Sequence, residues 1–485
     1  MDSDEFRQRA KQIVDYVAGY HDTIRQRRPV PDVTLGYLKP LVPAAAPEDP
    51  DKWNDIFEDI ERVIMPGLTH WQSPYFHGYY PVGQSFAETC GDLLCNGLGS
   101  FGFSWITCPA ATELEIVVMD WLAKMLTLPS EFLSGGKGGG ILQSTASEST
   151  LVTMLTARNV MLTRMSATHG PVGRDVKEGI DGDVFSRLVA YSSDQAHLSM
   201  QRACMFSAIR LHAVESDDKE RMTGPALAKA IAIDVEKGLI PFYCMATLGT
   251  TASCAFDDLK EIGPVCKKAG IWLHIDAAYA GSSFICPEFR PLLDGVEVAD
   301  SFNFNPHKWL LTSFDCSALW YRDSSKTIEA FSVKEVMFSY EHEDTTIDFS
   351  HREIPFGHRF RALKLWFVLR LYGVNGLQAY VRKHVYLAQE FEKLVAADDR
   401  FEVTHPVTHG LVCFRLRQCS NDLNALFLAK LTTDRRVYLT ATTSKDVYFL
   451  RFVVCWRKTE KSDILYSWNV IREVATALLE DTKKQ

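Results

Sequence analysis

The feature that most constrains this chain is an alternation. Between residues 86 and 365, short β-rich runs at Leu188–Tyr191, Phe242–Leu248, Ile271–Ile275 and Ala318–Tyr321 are bounded by turn residues. Helical patterns lie between several of them, as at Ala226–Glu236 and Leu259–Ala269. Strand–helix alternation of this kind predicts a mostly parallel α/β sheet. Such a sheet places its ligands at the carboxyl ends of its strands.

The flanks read differently. Residues 1–85 carry helical spacing at Phe6, Ile13, Val14, Val17 and Tyr20, a proline-punctuated stretch, and a second helical pattern from Trp53 to Ile64 ending near Pro66-Gly67. A helical pair with an extended arm is poorly suited to fold alone, so it is expected to pack on something else. From residue 366, Gly373 and Gly376 mark a break ahead of a helix over Leu377–Val395. Strand-like Leu411–Leu416 and Phe449–Cys455 then mix with a terminal helix over Ile464–Leu479. The expected organisation is an N-terminal segment 1–85, a large domain 86–365 and a small α+β domain 366–485.

Composition narrows the function. The 485 residues are 46% hydrophobic and 23% charged, as in globular chains. Lys plus Arg is 52 against 61 Asp plus Glu, a net charge of −9, with no basic block to meet nucleic acid or an anionic membrane. No apolar run approaches the roughly 20 residues that cross a bilayer. The acidic start lacks an apolar core, so no signal peptide and a cytoplasmic location are expected. The twelve cysteines are scattered without Cys-x-x-Cys pairs, which predicts reduced, mostly buried thiols and no metal site.

Three local features carry chemistry. Lys308, in Asn305-Pro-His-Lys-Trp309, is set among aromatic residues and Pro306. Partial desolvation lowers an ammonium pKa and frees the amine as a nucleophile. Read alone, the lysine is more ordinarily a snorkelling surface residue. Trp272-Leu-His-Ile-Asp276-Ala-Ala278 reads as a strand ending in an acid and then small residues. Asp276 there can hold a pyridinium N–H, and Ala278 leaves room for a flat ring; without Lys308 it would read as a helix cap. Gly138-Gly139-Gly140, followed by Gln143-Ser-Thr-Ala-Ser147, opens a helix at about Ser147, where N–H and hydroxyl groups bind phosphate. Alone it reads equally well as a plain flexible loop. A phosphate cradle, an acid and a lysine on one α/β sheet are the parts that hold pyridoxal phosphate.

With these motifs assembled, the chain closely resembles the group II pyridoxal-phosphate decarboxylases, specifically their aromatic-L-amino-acid decarboxylase branch. The resemblance runs from Phe6 to about Leu479. It rests on Pro66-Gly-Leu-Thr-His-Trp-Gln-Ser-Pro74, Gly102-Phe-Ser-Trp105, Tyr191-Ser-Ser-Asp-Gln-Ala-His197, Ala246-Thr-Leu-Gly-Thr-Thr251, His274-Ile-Asp-Ala-Ala-Tyr-Ala280 and Asn305-Pro-His-Lys308-Trp. It implies an aspartate-aminotransferase-like α/β fold, pyridoxal 5'-phosphate, and an obligate homodimer in which residues 1–85 pack across the partner. Lys308 is then the Schiff-base lysine, and Asp276 pairs with the ring nitrogen. His197 and Ala278 lie on the two ring faces, and Thr251 lies near the ring. Ala146, Ser147, Ser301, Asn305 and His307 hold or neighbour the phosphate. The implied substrate slot takes Trp71, Tyr79, Tyr80, Pro81 and Val82, with Phe103 from the neighbouring subunit and Arg451 near the site.

Several positions bear on the substrate and the product. Gly357 matches the glycine of aromatic-substrate members, where histidine decarboxylases usually have serine. Leu142-Gln-Ser-Thr145 leans towards the histidine enzymes, and Val82 lacks the hydroxyl that could meet a catechol. The expected reaction is decarboxylation of a DOPA-, tyrosine- or tryptophan-type amino acid to its amine, as in monoamine biosynthesis. Histidine decarboxylase and aminotransferase readings rank lower. In the family a loop tyrosine protonates the carbanion left after CO2 departs. Counted without gaps from Phe331, that position is Met337, a thioether that cannot donate a proton. The loop is about two residues shorter than in relatives, so Tyr340 is an alternative donor, as is His197. The rival reading is an aldehyde synthase, in which O2 meets the carbanion and aldehyde, ammonia and hydrogen peroxide are released.

Overall fold

The computed structural model describes residues 1–169, 182–332 and 346–484. It divides into two compact units, residues 1–81 with 384–485, and residues 82–383.

The larger unit holds a seven-stranded sheet. Its strands in chain order are β1 (Gly139–Gln143), β2 (Leu188–Ser193), β3 (Arg210–Val214), β4 (Ile240–Thr247), β5 (Trp272–Asp276), β6 (Ser301–Phe304) and β7 (Ser317–Tyr321). Their spatial order is β1-β7-β6-β5-β4-β2-β3. The run β6-β5-β4-β2-β3 is parallel, and β7 runs antiparallel to both β6 and β1. Every residue of β2, β5 and β6 is buried. Helices Leu198–Ser207, Gly224–Glu236 and Leu259–Ala269 connect the parallel strands. Strands covered on both faces read as continuous apolar runs, which is why β2, β4, β5 and β7 were visible in the sequence, whereas β6, with Ser301 and Asn303, was not. Edge strand β3 is partly exposed and polar, and no run announced it.

The glycine run is not a flexible loop. Gly139 and Gly140 belong to buried β1, paired with β7. A Cβ on Gly140 would lie 2.4 Å from Met119 Cε and 2.8 Å from Trp320 Nε1. Close packing therefore demands glycine here, and the strand continues directly into helix Ala146–His169.

The smaller unit packs a four-stranded antiparallel sheet, β8 (Phe401–Val403), β9 (Leu411–Leu416), β10 (Thr440–Ser444) and β11 (Val447–Val453), in the order β10-β11-β9-β8. Phe391, Phe401, Phe414, Phe452 and Trp468 form its core, with Phe391 stacked on Phe452. Helix Ser3–Thr23 belongs to this unit and starts with a capping box between Asp2 and Glu5. The break expected near residue 373 is a kink: Gly373 (φ 62, ψ 174) interrupts helix Arg361–Ala396, whereas Gly376 is helical. All twelve cysteines are free thiols and most are buried. Among the described residues no helix is long and apolar enough to cross a membrane.

Gly140→Ala is expected to cost about 1–3 kcal/mol through overpacking against Trp320. A urea unfolding midpoint unchanged from the parent chain would contradict this account of β1.

Candidate active site

The parallel pairing brings the carboxyl ends of β2, β4, β5 and β6 to one edge of the sheet. Thr247, Asp276 and Asn303 stand side by side in the register of β4, β5 and β6. The segments leaving these ends carry Thr251, His197, Ala278, Asn305, His307 and Lys308. Backbone bonds lock the segments together. Leu248 N–H donates to Asp276 O (2.8 Å), Ala277 N–H to Asn303 O (2.9 Å), and Asn305 N–H to Ala278 O (3.0 Å).

Asp276 is 3% exposed. Its Oδ1 accepts the Ala278 N–H at 2.9 Å, and it makes no ion pair among the described residues. A buried carboxylate without a cation is costly, so this geometry fits a ligand that brings a positively charged N–H. Asn305 Oδ1 is also buried and unpaired. Both groups are acceptors, so they fit a polar ligand that brings hydrogen-bond donors, such as a protonated heteroaromatic ring.

Lys308 is half-buried in the short helix Pro306–Trp309, whose Trp309 stacks on Tyr279 at 4.8 Å. His307 Nδ1 accepts the Cys316 N–H at 2.9 Å, so a neutral ring carries its proton on Nε2 as a donor. Burial, then the Lys308 and Lys364 charges, push this imidazole down to about 3. His197 caps helix Leu198–Ser207, its Nδ1 accepting the Ser199 N–H at 3.1 Å, which likewise leaves Nε2 the protonated nitrogen. The ring keeps solvent access but sits among protein mass. Desolvation lowers its pKa, Asp276 opposes this, and the Lys308 charge adds to it.

The amino end of helix Ala146–His169 presents Ala146 and the exposed Ser147. Thr145 Oγ1 caps it by accepting the Glu148 N–H at 3.2 Å. Unsatisfied N–H groups at such an end bind anions.

Ser301 is not brought to this edge. It opens β6 at the opposite end from Asn305. Its hydroxyl is engaged by Trp272 Nε1 (2.8 Å) and His274 Nδ1 (2.9 Å), which argues against a phosphate contact. Met337 and Tyr340 lie outside the described residues. Asp257 escaped the sequence reading. Its buried carboxyl accepts N–H groups of Thr247 and Met222 at 2.7 Å each, fixing the end of β4, and burial raises it to about 7. Its only sequence signal was an acid preceding a helix.

The expected slot residues fall in both units. In the smaller one Trp71 stacks on Tyr79 (5.2 Å), and Arg451 lies over Tyr80 (5.3 Å) and donates to Gly78 O (3.1 Å). Pro81 is the last residue of that stretch. Tyr438, absent from the sequence reading, stacks on Phe76 and meets the Tyr79 hydroxyl at 3.4 Å; nothing links it to them in sequence. In the larger unit Phe103 packs on Phe356 (4.9 Å), Val82 is half-buried, and a Cβ on Gly357 would lie 2.4 Å from Phe101 Cζ.

Residues 36–417 match the model of the pyridoxal-dependent decarboxylase conserved domain. An aromatic-L-amino-acid decarboxylase of Mus musculus is 50% identical over 488 residues, covering 100% of each chain. One from Drosophila melanogaster is 51% identical, covering 100% of this chain and 93% of that protein. Among solved structures, Catharanthus roseus tryptophan decarboxylase in complex with L-tryptophan is 37% identical with a TM-score of 0.90, covering 98% of this chain and 99% of that one. Rhodiola rosea 4-hydroxyphenylacetaldehyde synthase is 38% identical, with the same TM-score and coverage. Oryza sativa TDC with PLP and tryptamine is 33% identical, with a TM-score of 0.93 and 99% of each chain covered.

His274 and His307 are buried, and burial holds them neutral down to about 4 and 3. An unfolded imidazole titrates near 6.5, so between those values the unfolded chain binds more protons and stability falls as pH drops. The urea midpoint is expected to be lower at about pH 5 than at about pH 7, with a smaller difference in His274→Gln. Equal differences in the two proteins would refute the assignment.

Proposed function

Because the chain belongs to the pyridoxal-dependent decarboxylase family, we propose that it removes the carboxylate of an aromatic L-amino acid as CO2, with pyridoxal phosphate as cofactor, and releases the aromatic amine. The observation that carries this reading is Asp276, a buried carboxyl group with no ion-pair partner among the described residues, at the strand edge that also delivers Lys308. Bound here, pyridoxal phosphate supplies a protonated ring that accepts the electron pair freed when the carboxylate leaves.

The residues divide the work. The Lys308 amine is the covalent anchor. The Asp276 carboxylate stabilises positive charge on the ring nitrogen, and Ala278 leaves the ring room against the backbone. The amino end of helix Ala146–His169, the Ser147 hydroxyl, the Asn305 side chain and the His307 Nε2–H take the phosphate. Thr251 and His197 border the ring. His197 holds a proton on Nε2, where it can serve the carbon that loses CO2. Trp71, Tyr79, Tyr80 and Pro81 are the aromatic surface that the smaller unit offers to the substrate side chain. A cytoplasmic homodimer completes the reading. It is supported by exposed apolar side chains such as Val14 (54%), Leu98 (66%) and Phe101 (61%), which a second copy would cover.

A second product is favoured by one observation, Met337 at the counted position of the loop tyrosine. With slow protonation, substrate, O2 and water would give aldehyde, CO2, ammonia and H2O2. Incubation with L-DOPA, L-tyrosine and L-tryptophan, scoring amine, CO2 and peroxide, separates the two. Amine equal to CO2 with background peroxide is the expected result. Peroxide matching CO2 selects the aldehyde reaction, and no CO2 from any of the three sinks the proposal. Lys308→Ala is expected to lose the visible cofactor absorbance together with at least about a thousandfold of the activity.

A further inference from the structure

Outside the site, one buried cluster has a geometry that no part of the chemistry above uses. His358 is 3% exposed, and its two partners Glu115 and Glu353 are 1% and 3% exposed. The imidazole Nε2 lies 2.8 Å from Glu115 Oε2, and Nδ1 lies 2.8 Å from Glu353 Oε1. A ring with a carboxylate at each nitrogen carries both protons, so it is a cation held between two anions. Phe349 stacks on it at 4.7 Å.

Glu115 has a second engagement. It stands on helix Pro109–Leu126, and its Oε1 accepts the Leu142 N–H of β1 at 2.7 Å. Two residues beyond Leu142 the chain enters Ser144, Thr145 and the amino end of helix Ala146–His169. Arg361, paired with Asp315 at 2.9 Å, reaches Leu142 O at 3.4 Å from the same side. The charges facing His358 are therefore Glu115 from the helix and Glu353 from its own segment. The Arg361 and Arg352 guanidinium groups lie around those carboxylates.

We propose that His358 is a positioning residue for cofactor binding. By bridging Glu115 and Glu353 it fixes the carboxylate that holds β1, and through β1 the Ser144–Ser147 turn that receives the phosphate. The inference rests on the phosphate assignment made under the proposed function. Without the cation, two carboxylates share an apolar interior, and one must take up a proton or move. Either change weakens the Glu115 bond to Leu142.

Burial alone would depress the imidazole, but the carboxylates outweigh it and push it up to about 10. A raised histidine contributes stability that is complete below the unfolded value near 6.5 and is lost as pH rises through the folded one. Cofactor affinity should therefore fall as the pH passes about 10.

The test is reconstitution of cofactor-free protein with pyridoxal phosphate, followed by visible absorbance, from neutral pH to about pH 10.5. The proteins compared are the parent, His358→Gln, His358→Arg and Glu353→Gln. His358→Gln is expected to weaken neutral-pH affinity by about tenfold or more. His358→Arg keeps a cation that does not titrate there, so it should stay near the parent and lose the alkaline fall. Glu353→Gln, which spares the Glu115 contact and keeps the proposal testable if His358→Gln does not fold, should move that fall to lower pH. The proposal is overturned if His358→Gln binds as tightly as the parent, if His358→Arg is as weak as His358→Gln, or if Glu353→Gln leaves the alkaline fall in place. A parent protein that binds no pyridoxal phosphate overturns the functional reading itself and this proposal with it.

Discussion

Asp276 is buried with no ion-pair partner among the described residues, and the surrounding structure supplies the reason for its place. The side chain sits at the end of a strand whose neighbours on both sides are parallel, so the ends of β4, β5 and β6 finish together. The backbone bonds from Leu248, Ala277 and Asn305 leave those ends little freedom. Antiparallel neighbours would have pointed their carboxyl ends to opposite edges. Lys308, reached within four residues of the end of β6, could not then share an edge with Asp276. The sheet topology thus positions the unpaired charge and the amine that the proposed chemistry requires.

Around this edge several buried polar groups are held by other polar groups, while Asn305 Oδ1 is left unpaired. Asp257 takes two backbone N–H groups at the end of β4, His307 takes one from Cys316, and Thr145 and Glu148 close the start of the long helix. Further back, Glu115 and His358 secure the strand that feeds that helix. Each is an acceptor or donor satisfied away from solvent, where the cost of leaving it unmade is greatest. Together these bonds constrain the geometry of the edge.

Much of this was legible in the residues. The runs at 188, 242, 271 and 318 mark strands because a strand covered on both faces has no polar alternation to hide it. Lys308, Asp276 and the glycine run suggested one another as a set, and His197 entered only through the family resemblance. The glycine run misled in part. Glycine signals a loop and close packing alike, and only the Met119 and Trp320 side chains show that packing is the reason. Ser301 misled for a different cause. The family resemblance put it beside the phosphate, but strand geometry turns its hydroxyl to Trp272 and His274.

The sequence alone determined the fold class and the chemical family and singled out candidate residues for the chemistry, because apolar periodicity and reactive side chains are local properties. The tertiary structure decided which of them meet. It brought Tyr438 to Phe76 and Tyr79 across some 360 residues, and Glu115 to His358 across 243. It also separated Ser301 from Asn305 although they stand only four positions apart. Such pairings depend on strand order and crossover, and on which buried charge can find a counter-charge, and neither is a property of any short stretch of chain.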